Sequence, residues 1–267
     1  MPSKELRILF VSDVVGRAGR RVLFQVLPSL RKDKGVQLCV ANGENAAGGF
    51  GITVNIVGKL YSYGVDVITS GNHIWDKKEI LDYIGKDERL LRPANYPSQA
   101  PGRGSGIYET EEGVRVGVLN LQGRVFLPSI DCPFRIASQV LKELRGETRV
   151  IIVDMHAEAT SEKIAMGWYL DGMVSAVIGT HTHVQTADET ILPKGTAYIT
   201  DVGMCGAYDS VIGMDKSIVL SRFTTQIPHR FIPAKKDLRF SGLLLDVDVR
   251  TGEAKRVERI RINLEAE

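Results

Sequence analysis

Short apolar runs alternate with helically spaced segments along the early part of the chain. Residues 6–11 (LRILFV) form a continuous apolar run, the pattern of a strand buried on both faces. From 16 to 33, apolar residues recur at Val22, Leu23, Val26, Leu27 and Leu30, a helical spacing. Residues 37–41 predict a second strand, 53–63 a helix with Thr53 at its N-cap, and 65–69 a third strand. Asp76 is expected to cap the next helix, with Glu79 completing a capping-box pair. This β-α-β-α-β-α order implies right-handed crossovers and a mainly parallel sheet, whose ligands gather at the carboxyl ends of the strands.

The later pattern turns toward hairpins. Residues 89–105 are rich in Pro and Gly and read as irregular. Segments 106–110 and 114–119 flank a Glu-Glu-Gly turn and predict a hairpin. A helix is expected over 133–144, a strand over 149–153, a helix over 161–170 and a strand over 174–178. Residues 190–192 and 197–200 flank a Pro-Lys-Gly turn; 242–249 and 256–262 flank another at 250–253. Two facing sheets with helices outside accommodate both halves. No linker composition, repeat or low-complexity tract divides the chain, so residues 1–267 are expected to form one domain.

The strand ends carry the chemistry. Four of the five histidines lie in GNH at 71–73, DMH at 154–156 and THTH at 180–183, each after an apolar run. Asp13, Glu44 and Asn45 end the earlier strands, and Asn72 and His73 end the third. Imidazole is the commonest nitrogen ligand for transition metals. With His156, His181 and His183 this set is too large for one ion and contains no cysteine, unlike a structural zinc site. Two metals about 3.5–4 Å apart would suit it. Taken singly, each has a plainer reading. Asp13 can be a helix cap or loop residue, Asn72 and His73 a turn, and His181 and His183 opposite faces of a strand. Asp154 and Glu158, which flank His156, are either orienting partners for an imidazole or solvated groups. The glycines at 48, 49 and 51 read as turn geometry, Cys205 as a buried thiol, and Lys235, Lys236 and Arg239 as a solvated face; His229 matches no motif.

Bulk properties narrow the setting. Apolar residues are 43%, charged residues 25% and the formal net charge +2, which favours neither nucleic-acid wrapping nor disorder. No apolar run approaches the ~20 residues of a membrane span, and the N-terminal MPSKELRILFVSD turns polar too soon for a secretory signal. The three cysteines show no paired spacing. A reducing cytoplasm is the expected compartment.

The ordered elements Gly71-Asn72-His73, a lone His156 and Gly179-Thr180-His181-Thr182-His183 resemble the calcineurin-like metallophosphoesterases. Two positions depart from that pattern. The histidine expected after Asp13 is Val15, and the usual Gly-Asp is Gly43-Glu44-Asn45. With NGENAAGGFGIT, GNHIWD and THTHVQTAD, the chain is similar to the bacterial YmdB-like subfamily. The resemblance implies an α/β fold, a four-layer α/β/β/α sandwich of two facing mixed sheets. It assigns Asp13, Asn45 and His183 to one metal and Asn72, His156 and His181 to a second, with Glu44 bridging and Asn45 replacing the ligand Val15 cannot supply. It implies two divalent or mixed-valence ions, Fe or Mn foremost, with Zn or Co also suited. The implied activity is hydrolysis of small phosphodiesters such as 2′,3′-cyclic nucleotides by a metal-bridging hydroxide, His73 assisting the leaving group.

Other functions fit parts of the pattern. A phosphomonoesterase or nucleotidase would use the same ligands, and a regulatory protein would keep the site to sense a nucleotide. A single-metal amidohydrolase also carries His-x-His, but at its first barrel strand, whereas here the pair comes late. The expected partner is a small phosphodiester or nucleotide, with no membrane and no strong nucleic-acid signal; a homo-oligomer is allowed.

Overall fold

The computed structural model describes residues 5–264. Residues 1–4 and 265–267, which the single-domain expectation includes, lie outside the described residues. The first half forms β1 (Glu5–Val11), β2 (Asp13–Val14), α1 (Gly16–Lys34), β3 (Leu38–Asn42), α2 (Val54–Ser62), β4 (Val67–Thr69), α3 (Ile80–Tyr83), β5 (Ser105–Glu109) and β6 (Arg115–Gln122). The second half adds α4 (Pro133–Glu147), β7 (Val150–His156), α5 (Thr160–Leu170), β8 (Ala176–Thr180), β9 (Thr190–Ile191), β10 (Ala197–Ile199), β11 (Met204–Ala207), α6 (Lys216–Thr225), β12 (Leu238–Asp248) and β13 (Ala254–Asn263).

Two mixed sheets result. One is seven-stranded, with order β2-β11-β12-β1-β3-β4 and β13 paired to β12. The other is six-stranded, with order β5-β6-β7-β8-β10-β9. In the first sheet β1, β3 and β4 run parallel, and β12 runs antiparallel to β1. In the second β6, β7, β8 and β10 are parallel, with antiparallel edges at β5 and β9.

Side-chain alternation sets the layers, because successive residues of a strand face opposite sides. Ile8 and Phe10 of β1 meet Val118 of β6 and Ile152 of β7 between the sheets. Leu9 and Val11 face the other way, onto Val22 and Leu27 of α1 and Val57 of α2. Ile151 and Val153 likewise turn outward, onto Leu141 of α4 and Met166 of α5. The order is helix, sheet, sheet, helix, as the resemblance implied. The parallel strands β1, β3, β4, β7 and β8 all deliver their carboxyl ends to one rim.

The capping expectation fails. Glu79 occupies the N-cap position of the short α3 without a side-chain cap bond. Its Oε1 instead accepts from Val54 N at 2.8 Å and caps α2, whose own N-cap Thr53 makes no side-chain bond. Asp76 caps nothing; its carboxylate lies 2.9 Å from His73 Nδ1. Residues 74–78 turn rather than wind into helix, which frees both acids. Three elements carried no readable signal: β2 and β11 are very short, and α6 buries only Val219.

Beneath the His-Thr-His turn lies a buried ion pair. Lys163 of α5 donates to Thr180 O at 2.9 Å and to Asp201 Oδ2 at 2.7 Å. Lys163 is 1% exposed and Asp201 0%. Asp201 also accepts from Thr182 N at 3.0 Å and Thr182 Oγ1 at 2.6 Å. The pair thus grips the turn from both sides of its peptide chain. Removing one partner of a buried pair leaves an uncompensated charge. Lys163→Met is therefore expected to lower unfolding free energy by about 3–5 kcal/mol, read by urea denaturation. The double variant Lys163→Met/Asp201→Asn should recover part of that loss, and a single variant as stable as the parent would contradict the role.

Candidate metal centre

The side chains at the strand ends converge on the rim. His156 closes β7 and is fully buried. Its Nδ1 lies 2.9 Å from Thr180 Oγ1, and that hydroxyl donates to Asp154 Oδ1 at 2.7 Å. Thr180 must therefore accept from His156 Nδ1–H, which leaves Nε2 facing the site. Asp154 is buried too, held by Thr69 Oγ1 at 2.5 Å and Asn42 Nδ2 at 3.1 Å. Burial pushes its carboxyl up, against the hydrogen bonds that favour its charge.

Around His156 Nε2 stand Glu44 Oε1 at 3.0 Å, His181 Nδ1 at 3.0 Å and Asn72 Oδ1 at 3.2 Å. The ligand atoms of Glu44, His156 and His181 all lie within 4.8 Å of one another. His181 Nε2 is 3.0 Å from Glu158 Oε2, so a proton held there leaves Nδ1 as a lone pair aimed inward. Glu44 Oε2 accepts the backbone N–H of His73 at 3.1 Å. This closeness requires Gly71: a Cβ there would come within 2.2 Å of His156 Nε2 and 2.5 Å of Glu44 Oε2.

A second group adjoins the first through Glu44. Asn45 Nδ2 reaches Glu44 Oε1 at 3.1 Å and His183 Nε2 at 3.1 Å. His183 Nδ1 lies 2.9 Å from Ile212 O and donates to it, which turns Nε2 inward as a lone pair. Asp13 Oδ1 stands 3.8 Å from that nitrogen and has no hydrogen-bond partner, although it is buried. Its Oδ2 accepts from His181 N at 3.3 Å. His181 and His183 both adopt positive φ, 97° and 65°. The turn between them therefore aims both rings at the site, an unusual backbone conformation for residues other than glycine.

The charge balance is strained without a cation. Burial and the neighbouring carboxylates push Asp13 well above its ordinary range. Burial also opposes charge on Glu44, but His156 outweighs it and holds the carboxyl down at about 2. Burial would lower His156, yet Glu44 raises it to about 9. Burial and His156 together push His181 down to about 3, and burial lowers His183. One Nε2–H on His156 cannot satisfy Glu44, Asn72 and His181 at once. Cations would satisfy these lone pairs and the orphaned Asp13 Oδ1 together, so the donor set fits metal ions.

Other residues fall outside the cluster. His73 is half-buried, with Nδ1 on Asp76 and its ring edge-on to Phe50 at 4.9 Å between centroids. Val15 is 1% exposed and packs beneath Gly213 and Gly206. His229 meets Ser221 Oγ at 3.1 Å, away from the site. Cys39 and Cys205 are buried and free, and neither joins the cluster. Sequence reading missed Asn42, Thr69, Thr180, Asp76 and the Ile212 carbonyl as partners. Only Asp76 carried a usable signal, its i+3 spacing from His73.

Comparison with known proteins identifies the chain's relatives. A family model for the YmdB-like protein matches residues 9–260. A 2′,3′-cyclic-nucleotide 2′-phosphodiesterase of Bacillus subtilis is 51% identical over 97% of this chain and 97% of its own length. A putative phosphatase/phosphodiesterase of Mycoplasma genitalium is 36% identical, covering 98% of this chain and 95% of that protein. Among solved structures, a hypothetical protein from Thermus thermophilus aligns with TM-score 0.91 at 40% identity, over 97% of this chain and 99% of that one. A phosphatase from Mycoplasma pneumoniae aligns with TM-score 0.92 at 35% identity, over 98% of this chain and 95% of that one. Among the described residues no helix is long and apolar enough to cross a membrane. The likeness runs nearly end to end in both sequence and fold, so the chain belongs to the YmdB-like family and is a metallophosphoesterase.

Proposed function

We propose that this enzyme hydrolyses 2′,3′-cyclic nucleotides at a two-cation centre. The observation that carries the reading is the crowding of His156 Nε2 by Glu44, Asn72 and His181, lone pairs too numerous for the protons available. The Bacillus subtilis relative, a 2′,3′-cyclic-nucleotide 2′-phosphodiesterase, supplies the substrate class. Asn72, His156 and His181 would hold one cation; Asp13, Asn45 and His183 would hold the other. Glu44 would touch both. A half-turn of the Asn45 amide presents its oxygen to the same space that its nitrogen faces now. Bound cations would supply Lewis-acid charge for the phosphoryl oxygens and lower the pKa of a coordinated water.

The chain's own residues do the rest. The Thr180–Asp154 relay keeps the proton of His156 on Nδ1 and its ring fixed. Ile212 O likewise holds the His183 proton on Nδ1, and Glu158 holds that of His181 on Nε2. In the reaction a water oxygen forms a bond to phosphorus and the P–O2′ bond breaks. The departing oxygen then needs a proton, and the product is a nucleoside 3′-phosphate. Asp76 accepts from Nδ1–H, so a His73 ring protonated on both nitrogens would carry an Nε2–H to give to that oxygen.

Three measurements bear on this reading. His73→Ala should retain metal while slowing diester hydrolysis by ~10²–10⁴-fold, the usual weight of a general acid; unchanged turnover would remove His73 from the reaction. Elemental analysis of protein purified without added metal should find about two transition ions per chain, and one or fewer would sink the two-cation reading. Bis-p-nitrophenyl phosphate should be cleaved faster than p-nitrophenyl phosphate. Turnover of the monoester alone would favour a phosphatase.

A further inference from the structure

Above the candidate ligands the cleft, of roughly 420 Å³, changes character. Its floor is polar: Glu44, Asn45, His73, Glu158, His181 and His183. Its apolar wall is built from Phe50, Ile212, Met214, Val219, Phe223 and Phe231. The wall side chains themselves offer no hydrogen-bonding group to a ligand beyond the weak thioether of Met214, and the Arg222 guanidinium lies over the Phe231 ring, 4.9 Å from its centroid. A phosphoryl group has no use for such a surface, whereas a flat aromatic ring does.

Two contacts tie the wall to the floor. Phe50 packs edge-on against His73, and Ile212 O receives the His183 Nδ1–H. Ile212 adopts φ 46°, a strained conformation for a β-branched residue. Strain of this kind persists where surrounding structure over-determines it. Here the neighbouring Gly213, at φ 94°, sits on buried Val15. The turn fixes a carbonyl against His183 while leaving the Ile212 side chain 52% exposed to the cleft. Phe223, on the cleft side of α6, is 71% exposed. A large apolar side chain left in water beside a polar floor marks a ligand-binding wall.

We infer that the wall formed by Phe50, Ile212, Phe223 and Phe231 is the nucleobase subsite, binding the base by stacking and apolar contact rather than by hydrogen-bond readout. This inference rests on the cyclic-nucleotide reading and extends it to specificity. A base reaching the wall from a phosphate at the floor spans one ribose. Every base has a π-face, so stacking without polar readers tolerates all of them. Discrimination among bases of the kind that paired hydrogen bonds give, ~10⁴-fold or more, is therefore absent.

The test compares adenosine 2′,3′-cyclic phosphate with glycerol 1,2-cyclic phosphate, which carries the reacting group but no base. In Phe223→Ala, kcat/KM for the nucleotide relative to the glycerol diester should fall about tenfold, mainly through KM. Phe24→Ala, a comparably exposed phenylalanine on α1, should leave that ratio unchanged. The parent should process the four cyclic nucleotides within about a hundredfold of one another. A ratio that Phe223→Ala does not move, or one that Phe24→Ala moves equally, overturns the subsite. So does a thousandfold preference for one base. Calorimetric titration with adenosine 3′-monophosphate reads the subsite without turnover: Phe223→Ala should bind about tenfold more weakly, and equal affinity overturns the proposal. A parent that binds this nucleotide through Phe223 yet hydrolyses no cyclic nucleotide would sink the hydrolytic reading and leave the subsite standing.

Discussion

Three acceptors press on His156 Nε2 from within 3.2 Å, and that nitrogen carries at most one proton. Much of the rim is arranged around this imbalance. A cluster of lone pairs repels itself unless positive charge enters, so something rigid must hold it together beforehand. The two packed sheets do that. β7 and β8 run side by side in parallel, and their register sets His156 opposite Thr180. The neighbouring strand ends across the sandwich bring Glu44 and Asn72 to the same point.

Rigidity alone does not set ring orientation. Each of the three clustered histidines has its outer nitrogen tied down: His156 by Thr180, His181 by Glu158, His183 by the Ile212 carbonyl. The three ties differ in chemistry, yet each turns the inner nitrogen toward the site. The Lys163–Asp201 pair holds the backbone that carries two of these rings. Gly71 contributes by what it lacks, since any side chain at that position would occupy the space where Glu44 and His156 meet.

The layers and the cluster residues were legible because they follow local rules. Continuous apolar runs such as 6–11 mark parallel strands, and ligands crowd the carboxyl ends of such strands whatever the details. The supporting contacts follow no such rule. Asn42 reaches Asp154 across a separation of 112 residues, and Lys163 reaches Asp201 from a helix onto a loop. No periodicity encodes either. Asp76 was legible as the acid that would cap the next helix, but its choice of partner depended on whether residues 74–78 became helix. Helix α6 escaped notice for a related reason: Val219 and Phe223 line a cleft and only Val219 is buried, so the helix lacks the buried stripe that periodicity detects.

The tie between Ile212 and His183 is made by a main-chain carbonyl. Main-chain atoms are common to all residues, so the bond survives a change of side chain at 212 provided the new residue tolerates the same turn. Drift at that position can therefore reshape the wall of the cleft without loosening the imidazole behind it. The wall and the cluster share one loop, yet they are separable under mutation. A lineage could retune what the cleft accepts while the machinery beneath stays as it was.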